Sequence, residues 1–277
     1  MGTLYVVATP IGNLEDITLR ALRVLREVRL IAAEDTRTAR KLLARYEIAT
    51  PTTSYFEHNE AVKAPKLLRE LAQGDVALIS EAGMPGLSDP GYDLIRGAIE
   101  AGYPVVAIPG ASAITTALAV SGLPAGQFLF LGFLPRRQKE RRELLQSVAE
   151  VPWTLVFFEA PHRILDSLAD AEAILGDRQA AAARELTKLH EETMRATLSE
   201  LRARLAGGDT RGEFTLVVAG AARGAPEPWP RERVLAALRL ALERGVAAKE
   251  AAREVAGAAG WKTREVYDLY SELKRNA

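Results

Sequence analysis

The 277-residue chain contains no cysteine. That absence removes disulfides, thiolate metal ligands, iron–sulfur clusters and a cysteine nucleophile together. Its three histidines, His58, His162 and His190, are scattered without ligand spacing, so no metal site is expected. It has no excess of either charge, since 36 Lys/Arg balance 36 Asp/Glu. A wholly basic nucleic-acid binder is thereby excluded, although a local basic face is not. The opening Met-Gly-Thr-Leu-Tyr-Val-Val has no charged segment ahead of its apolar residues, which is not a signal-peptide pattern. The most apolar stretch, 105–123, is broken by Pro109, Gly110, Ser112, Thr115, Thr116, Ser121 and Gly122, so no membrane span is expected and the expected location is cytoplasmic. Neither G-x-G-x-x-G nor G-x-x-x-x-G-K-[ST] occurs, and no repeat period or low-complexity tract is visible.

What is present is the balance of a globular protein, 48% hydrophobic and 26% charged residues, in a chain long enough for two ordinary domains and a small appendage. The first half alternates short apolar runs (4–8, 30–33, 76–80, 105–108) with helical patterns at 17–28, 36–46, 92–100 and from 110 to about 120. Thr36 is placed to cap the second of these. Near-continuous apolar strands separated by helices predict a mostly parallel sheet covered on both faces. Gly122-Leu123-Pro124-Ala125-Gly126 reads as a linker. Beyond it the alternation resumes, with strand-like runs at 128–133, 154–158, 180–184 and 214–219 and helices at 138–148 and 164–175. A second Pro/Gly break spans 224–230. The remainder reads as helices at 231–244, 247–256 and 263–274, the last two joined at Gly260-Trp261 like a helix-turn-helix. The expected division is 1–123, 124–224 and 225–277.

Ligands of open α/β sheets bind at the carboxyl ends of strands. Four loops there are rich in small residues and fixed turns: Thr9-Pro10-Ile11-Gly12-Asn13, the run from Glu81 to Gly91, Pro109-Gly110-Ala111-Ser112-Ala113, and Phe158-Glu159-Ala160-Pro161-His162-Arg163. The second has three glycines and two prolines in eleven residues, which lets a ligand approach the backbone closely. Asp89 in it either caps the following helix or serves the site. The third opens a helix with small residues, so backbone donors can face a ligand.

Taken in order, V-A-T-P-I-G-N-L-E-D-I-T, A-A-E-D-T-R, S-E-A-G-M-P-G-L-S-D-P-G, I-P-G-A-S-A, F-F-E-A-P-H-R, R-E-L-T-K-L-H-E-E and G-E-F-T-L-V-V resemble the tetrapyrrole-methylase superfamily, in its bacterial 16S ribosomal RNA cytidine 2′-O-methyltransferase branch. The resemblance runs from Leu4 to Val218. It implies two α/β domains with S-adenosyl-L-methionine in the cleft between them, a homodimer, a small helical C-terminal domain, and 16S ribosomal RNA of the small subunit as partner. It implies cofactor contacts at Pro10, Ile11, Ala82, Gly83, Met84, Leu87, Ser112, Ala113, Phe158, Ala219 and Gly220. The wider superfamily's glycine-rich first loop is T-P-I-G-N here, and its G-D-P turn is Gly83-Met84-Pro85, so only the backbone role of that turn carries over.

A ribose hydroxyl needs a base or a charge-stabilising cation near the transferred methyl group. The polar clusters at strand ends supply Lys188, His162, Glu159 and Glu185 as candidates. RNA must be held by cations. Arg136-Arg137-Gln138-Lys139-Glu140-Arg141-Arg142 carries five positive charges against one negative, and Arg37, Arg40, Lys41 and Arg45 share an early helix. Substrate contacts are expected at Arg37, Arg136, Arg137, Lys262 and Arg264, the last two leading the final helix. Glu34 and Asp35 either orient Arg37 or pair with it. Two other readings stay open. One is a tetrapyrrole- or protein-directed methylase of the same superfamily, and the other a ligand-sensing nucleic-acid-binding regulator.

Overall fold

The computed structural model describes residues 2–222 and 228–275. The chain divides into two compact units, Met1–Ala221 and Ala222–Ala277. The expected boundary at 224/225, and residues 224–227 of the Pro/Gly break, lie outside the described residues.

The first unit holds two five-stranded sheets. The first contains β1 (Leu4–Val7), β2 (Leu30–Ala33), β3 (Thr52–Ser54), β4 (Val76–Ile79) and β5 (Val105–Ile108) in the order β3-β2-β4-β1-β5, all parallel. Strands buried on both faces read as unbroken apolar runs, and helices cover both sides. On one face, α1 (Leu19–Glu27) and α2 (Thr36–Arg45) set Leu22, Leu25 and Leu42 against Val7, Ile31 and Ile79. On the other, α3 (Glu60–Leu71) and α4 (Tyr92–Glu100) set Leu67, Leu71 and Leu94 against Leu4, Ala32 and Leu78. Each fully buried leucine contributes roughly 1.5–3 kcal/mol by leaving water.

The N-cap of α2 is Asp35 rather than Thr36: its carboxylate accepts from the Arg37 amide, which a threonine already inside the helix cannot do. The cap position of α4 is Gly91, with no side-chain cap bond, so Asp89 does not cap that helix. The short β3 and the helix α3 are not among the elements expected from the sequence: β3 has three residues, and Pro65 inside α3 argues against a helix when read alone.

The second sheet contains β6 (Phe128–Phe133), β7 (Thr154–Glu159), β8 (Gln179–Arg184), β9 (Glu192–Thr197) and β10 (Phe214–Val218) in the order β6-β7-β10-β8-β9. Only β6 and β7 are parallel; β10 runs against both β7 and β8, and β9 against β8. The second half is therefore a mixed sheet, not a continuation of the parallel pattern. One face is covered by α6 (Gln138–Ser147), α7 (Ile164–Leu175) and α8 (Leu198–Ala206), around Phe157, Leu168, Leu201 and Leu216. The other is covered by α5 (Ala113–Ser121), the last helix of the first half, whose Ile114, Ala117 and Leu118 pack on Val156, Ala181 and Val217. That packing brings the loops of the two sheets together.

The second unit is built from α9 (Arg231–Glu243), α10 (Ala248–Ala259) and α11 (Thr263–Arg275) around Val234, Leu238, Ala252, Val266 and Leu269. Gly260 ends α10 in the left-handed region (φ 67°), which gives the turn of a helix-turn-helix pair. The Trp261 indole donates to the Trp229 carbonyl at 2.8 Å, and the Arg233 guanidinium stacks on Trp229 at 4.0 Å. Among the described residues no helix is long and apolar enough to cross a membrane.

Candidate active site

Within the first unit, a cavity of about 470 Å³ opens where the carboxyl ends of the first sheet's strands meet the second sheet. Its size suits a drug- or nucleoside-sized ligand. The loops after β1 and β4 are tied by a reciprocal backbone pair, Thr9 N–H to the Gly83 carbonyl (2.9 Å) and Gly83 N–H to the Thr9 carbonyl (3.1 Å). Gly83 has φ +73°, a conformation that strains any residue with a Cβ, so the turn depends on glycine. Beyond it, Gly86 N–H bonds to the Pro90 carbonyl and folds Met84, Leu87 and Asp89 over the cavity.

The third loop ends at Ser112, which opens α5 without a side-chain cap bond. Ser112, Ala113 and Ile114 line the cavity, and the first amides of a helix lack intrahelical partners. From the second sheet, Phe158 lines the opposite wall, packed edge-on against Phe130 and at a tilt against Phe133, at centroid distances of 5.1 and 5.3 Å.

Of the residues the resemblance points to for the cofactor, Ile11, Ala82, Gly83, Met84, Leu87, Ser112, Ala113 and Phe158 line this cavity together. Pro10 is buried and not on its wall. Ala219 and Gly220 lie at the far end of the second sheet. Because β10 is antiparallel to β7, Phe214 pairs with Glu159 at the cavity while Val218 pairs with Leu155 at the opposite end. A Cβ on Gly220 would sit 2.3 Å from the Pro152 carbonyl carbon, a packing reason for glycine there. Glu213, Phe214 and Thr215, at the start of β10, line the cavity instead.

The four polar candidates separate. Glu159 lines the cavity but is 1% exposed, and its carboxylate accepts from the Ala160 amide, Arg163 and the Ser167 hydroxyl. His162 is exposed and off the wall. Lys188 donates to Glu185 at 2.9 Å and to Glu213 at 3.1 Å, which places it beside the cavity through Glu213. Burial alone would lower the ammonium's pKa, but the bonds to the two carboxylates outweigh it and the net shift is upward. The Lys188 bond, with that from the Glu213 amide, holds the Glu185 carboxyl below the usual carboxylate range. Glu185 (φ 51°) and Thr187 (φ 67°) are non-glycine residues in the left-handed region, so this loop holds Lys188 in a strained backbone.

Three acids that the sequence did not single out as a set meet on the first-sheet wall: Glu34, Glu81 and Asp89. Glu34 accepts from the Glu81 amide at 3.0 Å, and burial raises its pKa. The Asp89 carboxyl is pushed up to about 7, first by burial and then by the charges of Glu34 and Glu81, with the nearby Ser80 hydroxyl acting the other way. The signal in the sequence was their position, each one to a few residues beyond a strand or turn of the first sheet.

Among the cationic candidates, Arg37 is exposed and pairs with Asp35 at 2.9 Å, holding that carboxyl down at about 2. Arg136 and Arg137 are exposed at the start of α6. Arg141, counted with them in the basic run, is buried and bonded to Asp170 at 2.6 Å, so it is not available to a phosphate. Lys262 and Arg264 are exposed at the start of α11.

Two sheets enclosing a small-molecule cavity at their joined loop ends define the architecture of the tetrapyrrole methylases, and residues 3–202 match the family model described as Tetrapyrrole (Corrin/Porphyrin) Methylases. Among solved structures, this chain is similar to uroporphyrin-III C-methyl transferase from Thermus thermophilus complexed with S-adenyl homocysteine (TM-score 0.56, 21% identity, 80% of this chain and 99% of that one). It is also similar to diphthine synthase (TM-score 0.61, 14% identity, 79% and 90%). Among curated relatives, it is 46% identical to ribosomal RNA small subunit methyltransferase I of Halalkalibacterium halodurans over 98% of this chain and 95% of the relative. It is 44% identical to the protein of that name from Synechocystis sp., over 99% of both chains. The chain belongs to the tetrapyrrole methylase family, within the ribosomal RNA small subunit methyltransferase I group.

Proposed function

We propose that this protein transfers the methyl group of S-adenosyl-L-methionine to the ribose 2′-hydroxyl of a decoding-centre cytidine in 16S ribosomal RNA. The observation that carries the reading is the cavity itself. Its wall combines apolar faces (Ile11, Met84, Leu87, Phe158), the open amides of α5 and a set of carboxylates. Apolar faces suit an adenosyl group, helix-terminal amides suit a carboxylate, and acidic side chains suit a sulfonium. The bound cofactor supplies an electrophilic methyl carbon; the protein supplies orientation and electrostatics.

In this reading the Gly83-Met84 turn, Leu87, Ser112, Ala113 and Phe158 hold the cofactor, with Ile11 closing the floor. Glu213 and Thr215 take the places first expected of Ala219 and Gly220. Lys188, kept protonated by Glu185 and Glu213, is a charge-stabilising cation at the rim rather than a base. Arg37, Arg136 and Arg137 bind phosphates of the RNA, and Lys262 and Arg264 extend that contact from the helical tail. The reading includes a division of labour among residues 1–123, 124–224 and 225–277, a homodimer, and action in the cytoplasm without a metal.

The test is transfer of labelled methyl from S-adenosyl-L-methionine to 30S particles, followed by nuclease mapping of the labelled nucleotide. Label in a single 2′-O-methylcytidine of 16S RNA is the expected result. Label in a tetrapyrrole or a protein instead of the RNA would sink the reading, and duplex-DNA binding without turnover would favour a regulator.

A further inference from the structure

Three aromatic side chains lie on the cavity wall, Phe133, Phe158 and Phe214. Phe214 is 2% exposed, and Phe158 is partly covered by Phe130 and Phe133. Phe133 is 54% exposed, so its ring is the one left open to solvent. We propose that the Phe133 ring is the platform on which the base of the methylated nucleotide stacks. The inference rests on the proposed function and adds a contact to the base, which the phosphate-binding arginines do not supply.

The placement of the ring is built into β6. Phe130 pairs with Val156 of β7, but Phe133 stands opposite Phe158, so one extra residue is bulged out between them. Residues three apart on a regular strand point to opposite faces. The bulge puts Phe130 and Phe133 on one face, where both meet Phe158. Gly132, in the bulge, has φ +67°, and a Cβ on it would stand 3.3 Å from the Ser88 hydroxyl oxygen. Phe133 thus emerges where the loop over the cavity touches the second sheet. The chain beyond it is fixed as well. The Arg163 guanidinium donates to the Leu134 and Pro135 carbonyls at 2.5 and 3.2 Å, and to the buried Glu159 carboxylate at 3.1 Å. Arg136 and Arg137 follow, both exposed. Four residues of extended chain span at most roughly 14 Å, so an open aromatic face and two cations share one short stretch. Single-stranded nucleic acid is held by that combination of stacking ring and backbone-binding charge.

Covalent connectivity points to the target's own base rather than a neighbour's. The cavity suits one nucleoside-sized ligand. The cofactor takes that space, so the RNA meets the methyl group from the mouth. The methylated oxygen is on C2′ of the ribose, and the base is on the adjacent C1′. A ribose whose 2′-oxygen reaches the methyl carbon therefore brings its base to the rim, where Phe133 is open. A base drawn to such a site has left its stack, and an aromatic ring offsets part of that loss. Stacking uses the π-face that every base has, so Phe133 holds the base without selecting cytosine.

The experiment compares wild type, Phe133→Leu and Phe133→Tyr in single-turnover methyl transfer, with enzyme in excess but below saturation. The substrates are 30S particles with unaltered 16S RNA and particles reconstituted with an abasic ribose at the target position. Calorimetry gives S-adenosyl-L-methionine affinity. Phe133→Leu keeps an apolar contact with Phe158 but has no aromatic face. It should slow transfer about 10- to 100-fold on unaltered particles, with cofactor affinity within about threefold of wild type. The slope of log rate against log salt should not change, because a stacked base releases no counterions. Phe133→Tyr should stay within about threefold of the wild-type rate. On abasic particles the wild type should lose a factor similar to that of Phe133→Leu. Combining the two changes should cost less than about threefold more, because both remove the same contact. Four results would each overturn the stacking role while leaving methyl transfer to the RNA standing: Phe133→Leu at the wild-type rate, Phe133→Tyr as slow as Phe133→Leu, cofactor affinity falling in step with rate, or fully additive losses on abasic particles. A wild type that labels no unaltered 30S particle would overturn the proposed function, and the stacking role with it.

Discussion

Gly12 lies directly against Lys188. A Cβ built on the glycine would stand 2.5 Å from the lysine Cγ, 3.0 Å from the Leu186 carbonyl oxygen and 3.0 Å from the Thr187 hydroxyl. The first loop of one sheet thus abuts the strained loop of the other at the residue that faces Glu213. Gly12→Ala should force that loop to move. Overpacking of this kind costs about 1–3 kcal/mol, so the melting temperature should drop by roughly 5 °C. Methyl transfer should fall by about tenfold or more, since small misplacements at a reacting centre are costly. Thermal melts and single-turnover assays on the same sample check both.

Lys188 as a fixed cation and Lys188 as a base make opposite forecasts for arginine. Lys188→Arg keeps the charge between Glu185 and Glu213 but is useless as a base at neutral pH. It should keep a measurable part of the activity, while Lys188→Gln should lose about 10- to 100-fold in kcat with little change in cofactor KM. Equal losses in the two variants would contradict the cation role.

The Arg141–Asp170 pair is the buried ion pair of the second sheet's helical layer, with side chains 5% and 6% exposed. Removing Arg141 leaves the buried Asp170 with only the half-exposed Arg142 at 3.7 Å and the Gln138 amide, and breaking a buried pair from one side costs about 3–5 kcal/mol. Arg141→Ala should therefore lower the melting temperature by roughly 10 °C, whereas Arg137→Ala, exposed on the same helix, should leave it within about 1–2 °C. Differential scanning fluorimetry distinguishes them.

Arg136→Ala/Arg137→Ala should weaken RNA binding without touching cofactor affinity. Each lost phosphate contact reduces the slope of log affinity against log salt by about one. Filter binding of 30S particles from 50 to 200 mM salt should show a slope shallower by about two.

Asp89 links stability to pH in a stated direction. Its folded pKa lies above the ordinary aspartate value, so the proton it holds favours the folded state at low pH, and that contribution is lost as pH rises toward about 7. Asp89→Asn should melt higher than wild type at pH 8 and within error of it at pH 3.5. A lower melting temperature for the variant at pH 8 would contradict the burial and charge crowding assigned to that carboxyl.

The sequence by itself determined the alternation of strands and helices in the first half and the residues that line most of the cavity from its side. A strand buried on both faces must be a continuous apolar run, and a loop that folds tightly over a ligand needs glycine and proline, so both leave marks such as 76–79 and 83–91. The tail was legible for the same reason, since Gly260 ends one helix and Val266 and Leu269 set the face of the next. The family strings added the identity of the cavity's occupant. Tertiary structure alone decided the direction of β10, because an apolar run such as Phe214–Val218 reads the same in either sense. That reversal sends Ala219 and Gly220 away from the cavity and brings Glu213 and Thr215 to it. It also decided which charges are free: Arg141 looked like a phosphate ligand until packing against Asp170 buried it. Proton affinity depends on neighbours distant in the chain, so only the meeting of Glu34, Glu81 and Asp89 across two loops could show a carboxyl poised near neutral pH.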